Sequence, residues 1–294
     1  MQKIALLAVL SLSCTAFAQS SEFELIKPSE TKIISKFDAA NMIARPRQMN
    51  GAPILLWLPG TNGKPEYITL LIRIIAQQGY RAIGLEYNDE PAVNQICPRS
   101  TDPTCAAKFR EMRVWGTGTG IENIKNSMDE SIESRLVALL KELQKRHPKE
   151  DWSEYLTADE KPVWSKIAVA GQSQGAGMAA FIAKKVEVLR VILFSSPIDS
   201  TRGPNNIQLA PWLRWPSATP HDRWYAVRNS REPFNKGLMQ SYPALDIPAD
   251  HIRVFTLSLP PGADASNPMI YHGINIHDPR YVPEWRFLFN DVTK

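Results

Sequence analysis

Five residues, Gly171-Gln172-Ser173-Gln174-Gly175, join two segments of opposite periodicity. Before them, Lys166-Ile167-Ala168-Val169-Ala170 is a short apolar run of strand type. After them, Ala176, Gly177, Ala179 and Ala180 begin a stretch of small residues that reads as helix to about residue 186. A strand that passes into a helix within so few residues must turn sharply, and the serine at the tip then sits in strained backbone. The residues two before and two after the tip lie crowded together, so a side chain at either would clash, and both are glycine. Such a strand–turn–helix needs a sheet with helices packed on it, which narrows the chain to an α/β architecture.

The rest of the chain fits that architecture. Pro53 to Leu58 is an apolar run stopped by Pro59-Gly60 and reads as a strand buried on both faces. Tyr67, Leu70, Leu71, Ile74 and Ile75 recur at helical spacing before Gly79, and residues 81–87 are again strand-like, which completes a βαβ unit. Residues 88–127 show no clear period and are expected to form a long insertion, to about residue 128. Ser131 then opens a helix with Ile132, Leu136, Leu139, Leu140 and Leu143 on one face, and His147 at its end complements the dipole. Beyond the serine turn, strands are expected at 188–194, 223–227 and 251–258, a second insertion at 200–222, and a last helix near 283–289. Neither an internal repeat nor a break in composition marks a second domain.

Composition excludes several classes. With 44% hydrophobic and 22% charged residues among 294, the chain is neither a disordered tail nor a polytopic membrane protein. Thirty-four Lys+Arg against 30 Asp+Glu leave a net charge of +4, and no basic stripe is present, so no nucleic-acid partner is expected. Lys3, the apolar run Ile4 to Leu10, and Ala16-Phe17-Ala18 before Gln19 predict a secretory signal peptide over 1–18, with the mature domain at 19–294. The run is too short for a transmembrane helix. A lipoprotein signal ending at Cys14 is the alternative, and Ser11-Leu12-Ser13 fits it poorly. Export to the periplasm or medium places Cys97 and Cys105 in an oxidising compartment, and the turn-rich residues between them predict one local disulfide. Their spacing is not that of a zinc site, and no metal is expected. Gly116-Thr117-Gly118-Thr119-Gly120 lacks the third glycine of a dinucleotide fingerprint and reads as a loop.

On the serine turn and its strand–helix setting, the mature chain resembles the α/β-hydrolase superfamily of serine esterases and lipases. The resemblance implies a nucleophile at Ser173, then an acid, then a histidine, each following a successive strand of one mostly parallel sheet. Glu232 is the first carboxylate after 223–227 and is expected to be the acid, with Asp199 its rival. Of five histidines, His272 and His277 follow the last strand; His272 lies nearer and is expected to be the base. Gln172 departs from the family, where many members carry histidine before the serine. The resemblance also implies an oxyanion hole of two backbone N–H groups, at Gln174 and at Thr61 after Gly60. Trp212 and Trp215, held between Pro211 and Pro216, are expected to wall the substrate pocket, the alternative being that they pack as core. The implied activity is hydrolysis of a small-molecule carboxylic ester, possessing an apolar or aromatic group, through an acyl-enzyme, without cofactor. A peptidase or acyltransferase on the same triad, and a catalytically silent binding protein, are the competing readings.

Overall fold

Successive residues of a strand point to opposite faces of its sheet, and in the central strands of this chain both sets are apolar and dry. Ile54, Leu56 and Leu58 enter one core while Leu55 and Trp57 enter a second on the reverse side. The computed structural model describes residues 23–290 except 119, 122, 123, 125, 204–206 and 265. The expected signal peptide at 1–18 and Cys14 lie outside the described residues, as does Thr119 of the glycine-rich loop.

In chain order the strands are β1 (Glu24–Ile26), β2 (Asn41–Ala44), β3 (Ile54–Leu58), β4 (Arg81–Gly84), β5 (Ile167–Gln172), β6 (Arg190–Phe194), β7 (Ser200–Arg202), β8 (Ile207–Leu209), β9 (Trp224–Asn229) and β10 (Ile252–Phe255). Strands β7 and β8 form a separate ribbon; the main sheet has eight strands in the order β1-β2-β4-β3-β5-β6-β9-β10. Strand β2 runs antiparallel to β1 and β4, and every junction from β4 to β10 is parallel. The helices are α1 (Thr69–Gln77), α2 (Val93–Ile96), α3 (Cys105–Trp115), α4 (Ile132–Arg146), α5 (Gln174–Lys185), α6 (Asn235–Ala244), α7 (Met269–His277) and α8 (Val282–Leu288). Phe109, Leu136, Phe181 and Leu238 bring α3, α4, α5 and α6 onto one face. Ile72, Ile274 and Trp285 bring α1, α7 and α8 onto the other.

Helix α4 starts where its sequence predicts, with Ser131 Oγ accepting the Ser134 N–H at 3.1 Å. His147 at its end lies 2.8 Å from Glu24 and ties the helix to β1. Two expectations need correction. The insertion at 88–127 is not devoid of period: it holds α3, whose inward side includes Arg110 and Arg113 at 0% and 1% exposure beside Phe109 and Val114. Two buried cations interrupt the apolar stripe by which a helix is recognised. Residues 269–277, expected only as a stretch after the last strand, form α7. The disulfide Cys97–Cys105 is present, with a Cα–Cα distance of 5.5 Å, and joins the end of α2 to the first residue of α3.

Candidate active site

The parallel strands β3, β5, β6, β9 and β10 all end at one edge of the sheet, and the chemistry-bearing side chains gather there. Between β5 and α5 stands Ser173 with φ 53° and ψ −122°, a conformation that costs a non-glycine residue about 1–3 kcal/mol. Its neighbours make that turn possible. A Cβ on Gly171 would lie 2.5 Å from the carbonyl carbon of Gly175 and 2.6 Å from Leu58 O, and one on Gly175 would lie 2.0 Å from Leu58 O. The turn is therefore pressed against the end of β3, and only glycine fits at these two positions.

After β9 the chain doubles back. Asn229 N–H donates to Glu232 Oε1 at 2.6 Å, and the Ser195 hydroxyl donates to the same oxygen at 3.1 Å while accepting from Asn275 Nδ2 at 2.8 Å. The other oxygen, Oε2, lies 2.7 Å from His272 Nδ1 on α7. Glu232 is 3% exposed and His272 6%, so this contact is shielded from water. A carboxylate at Nδ1 holds the proton on that nitrogen and leaves Nε2 as the ring's acceptor. Nε2 is buried, makes no hydrogen bond among the described residues, and Phe234 packs against the ring with centroids 5.0 Å apart. The contact between Nε2 and the Ser173 hydroxyl is thus open in this structure, a geometry common before substrate binds.

Ser173, His272, Thr61 and Gln174 all line one cavity of about 340 Å³. At the end of β3, the Gly63 N–H donates to Gly60 O at 2.8 Å and closes a turn across Thr61 and Asn62. Gln174, the residue after the serine, is braced through its side chain. Its Oε1 accepts the Val93 N–H at 3.2 Å and its Nε2 donates to Pro91 O at 3.3 Å.

The rival acid is engaged elsewhere, and the rival base does not line the cavity. Asp199 takes Arg110 Nη2 at 2.5 Å, Arg110 Nε at 2.6 Å and Trp212 Nε1 at 2.9 Å, and bonds no histidine. His277 is exposed at the last residue of α7. The expectation that Trp212 and Trp215 wall the pocket is corrected. Trp212 is 1% exposed, its ring sits edge-on to Phe181 at 5.4 Å, and Trp215 also packs on Phe181; neither lines the cavity. Their loop folds back over α5 instead of over the serine. The walls are Ala92 to Gln95 on one side and Phe234, Met269 and His272 on the other, with the Arg110–Asp199 pair also lining the space. Phe234, Met269, Ser195 and Asn275 escaped the sequence reading, because single residues in unrelated segments carry no spacing signal. Among the described residues no group of three or more His, Cys, Asp or Glu is placed to hold a metal.

No family model and no curated protein matches the chain. Among solved structures it is similar to a bacterial heroin esterase, at 16% identity over 93% of this chain and 86% of that one, TM-score 0.43. It is similar also to an esterase of Thermogutta terrifontis, at 12% identity over 90% and 93%, TM-score 0.42. A third is the esterase of the archaeon Pyrobaculum calidifontis, at 14% identity over 81% and 75%, TM-score 0.38. At such identities and scores the likeness assigns no chemistry. The order of the eight strands, the reversed β2, helices on both faces and a strained serine turn after the fifth strand of the chain together make this an α/β-hydrolase fold.

Proposed function

We propose that this chain is an exported serine hydrolase that cleaves small carboxylic esters. The carrying observation is the shielded 2.7 Å contact of Glu232 with His272 on the wall of the cavity that also holds Ser173. The Ser173 oxygen attacks the ester carbonyl and its proton passes to His272 Nε2, while Glu232 steadies the imidazolium formed. The tetrahedral oxyanion is held by the N–H groups of Thr61 and Gln174, each of which lowers the barrier by about 3 kcal/mol. Collapse breaks the ester C–O bond, and the alcohol leaves with the proton from His272. Water then attacks the acyl carbon as it gives a proton to the same nitrogen, and that proton passes to Ser173 Oγ as the acid leaves.

A cavity of about 340 Å³ favours a small ester over a long acyl chain or a folded polypeptide. The disulfide between Cys97 and Cys105 fits an oxidising compartment, periplasm or medium. The test is direct. Purified protein is expected to hydrolyse short aryl esters and to be labelled once by a fluorophosphonate, and Ser173→Ala to abolish both with the fold intact. Aryl-ester turnover by Ser173→Ala at the parent rate overturns the reading, and an unlabelled, inactive parent returns the protein to the class of silent binding proteins.

A further inference from the structure

Gly60 sits in the turn that would supply one oxyanion donor, yet its backbone does not need a glycine, since its φ is not positive. What it lacks is room. A Cβ there would stand 2.4 Å from Gln172 Oε1 and 3.0 Å from Ser173 Cβ. The side chain of Gln172 fills that room. It is 8% exposed, lines the cavity, and its Nε2 donates to the backbone carbonyl of His272 at 3.3 Å. One amide is therefore threaded between the turn after β3 and the helix that bears the imidazole, from the residue next to the nucleophile.

We propose that Gln172 is a positioning residue, whose amide sets the distance between Ser173 and His272 by holding α7 against the serine turn. The proposal rests on the hydrolase reading of this site. Three residues on from His272, α7 is also fixed by Asn275, which donates to Ser195 Oγ at 2.8 Å and accepts from Asn229 Nδ2 at 3.2 Å. Those bonds orient the helix toward β6 and β9, where Glu232 is also held. Near the nucleophile, the side-chain bond to the helix backbone is that of Gln172. Loss of that bond leaves Glu232 and His272 paired while freeing the ring to drift from Ser173. A displacement near 1 Å at a reacting atom costs about 10- to 100-fold in rate.

Two variants of similar length remove the donor with opposite polarity, Gln172→Met and Gln172→Glu, so that either one carries the test if the other fails to fold. For both, kcat on a short aryl ester is expected to fall about 10- to 100-fold, with KM within threefold and Tm close to the parent. The rate of fluorophosphonate labelling falls in parallel. Gln172→Glu has a further signature: a protonated carboxyl regains a donor, so its activity relative to the parent rises as pH is lowered from 8 to 5. A purely structural role predicts a pH-independent ratio and a loss shared between kcat and Tm. Folded variants that keep the parent's kcat, or a Gln172→Glu ratio that is flat with pH, overturn the proposal. These results leave the hydrolase reading in place, because that reading falls only if the parent itself neither turns over nor labels.

Discussion

Replacing Glu232 by glutamine keeps the volume of the side chain and inverts the logic of the site. The position of Oε1 meets two donors, the Asn229 N–H at 2.6 Å and the Ser195 hydroxyl at 3.1 Å. The first is backbone and cannot turn away, so the amide oxygen of the variant takes that place and its NH2 faces His272 Nδ1. An NH2 group tolerates only an unprotonated Nδ1, which sends the ring proton to Nε2. In the proposed reaction Nε2 is the atom that accepts the proton of Ser173. The variant also lacks the charge that stabilises the imidazolium. A wrong tautomer of this kind costs about 10⁴-fold in kcat, or about 5.5 kcal/mol. KM is expected to stay within a few-fold, since Glu232 is not part of the cavity wall. Steady-state hydrolysis of an aryl ester, read beside the melting temperature, measures both. A folded Glu232→Gln protein with kcat within tenfold of the parent refutes the tautomer argument and with it the role given to this carboxylate.

Trp212→Ala removes a fully buried ring and the hydrogen bond to Asp199, so stability in urea is expected to fall by about 3–5 kcal/mol with the ester preference unchanged. A changed preference at parental stability would make that loop a pocket wall. Burial pushes the carboxyls of Glu86 and Asp89 up to about 7. In the unfolded chain they titrate near 4, so between about pH 4 and 7 the folded protein binds more protons, and their contribution, full at the acid end, is lost as pH rises. Urea midpoints from pH 4 to 8 are expected to show a shallower decline in Glu86→Gln than in the parent, and equal slopes refute the assignment.

What the sequence disclosed and what it hid follow from the range of the interactions involved. Residues 54–58 and 167–170 were legible because a strand dry on both faces leaves an unbroken apolar run. The serine turn was legible because its glycines are demanded by contacts within five residues and against β3. Helix α3 was not, because Arg110 is buried only in the company of Asp199, 89 residues away, and no local pattern announces that. The same pair separates the two candidate acids: Asp199 is consumed by Arg110 and Trp212, which leaves Glu232 to the histidine. For Trp212, a proline-flanked aromatic reads alike as wall or as core, and Phe181 in α5 decides for core.

The cavity joins parts that are held by unlike means. Ser173, Glu232 and His272 hang from strand ends and from α7, so their geometry is fixed by the sheet and by the polar chain Glu232–Ser195–Asn275 beneath it. The facing wall, Ala92 to Gln95, belongs to the insertion at 88–127 and has no strand to hold it. It is fixed instead by the Gln174 side chain at Pro91 and Val93, by Arg113, whose Nη2 donates to Glu90 O, and by the disulfide that ties the end of α2 to α3. Helix α3 is itself clamped to the first turns of α5, where the Arg110 guanidinium occupies the space that a Cβ on Gly177 would need, within 2.1–2.5 Å. Gln174 therefore carries two duties, an N–H beside the nucleophile and a brace for the opposite wall. Changes in the insertion reach the shape of the cavity directly, through Ala92 to Gln95 and Arg110, and they reach Gln174, beside the nucleophile, through Pro91 and Val93. The insertion at 200–222, by contrast, spends its two tryptophans on α5, so among the described residues the insertion that lines the cavity is 88–127.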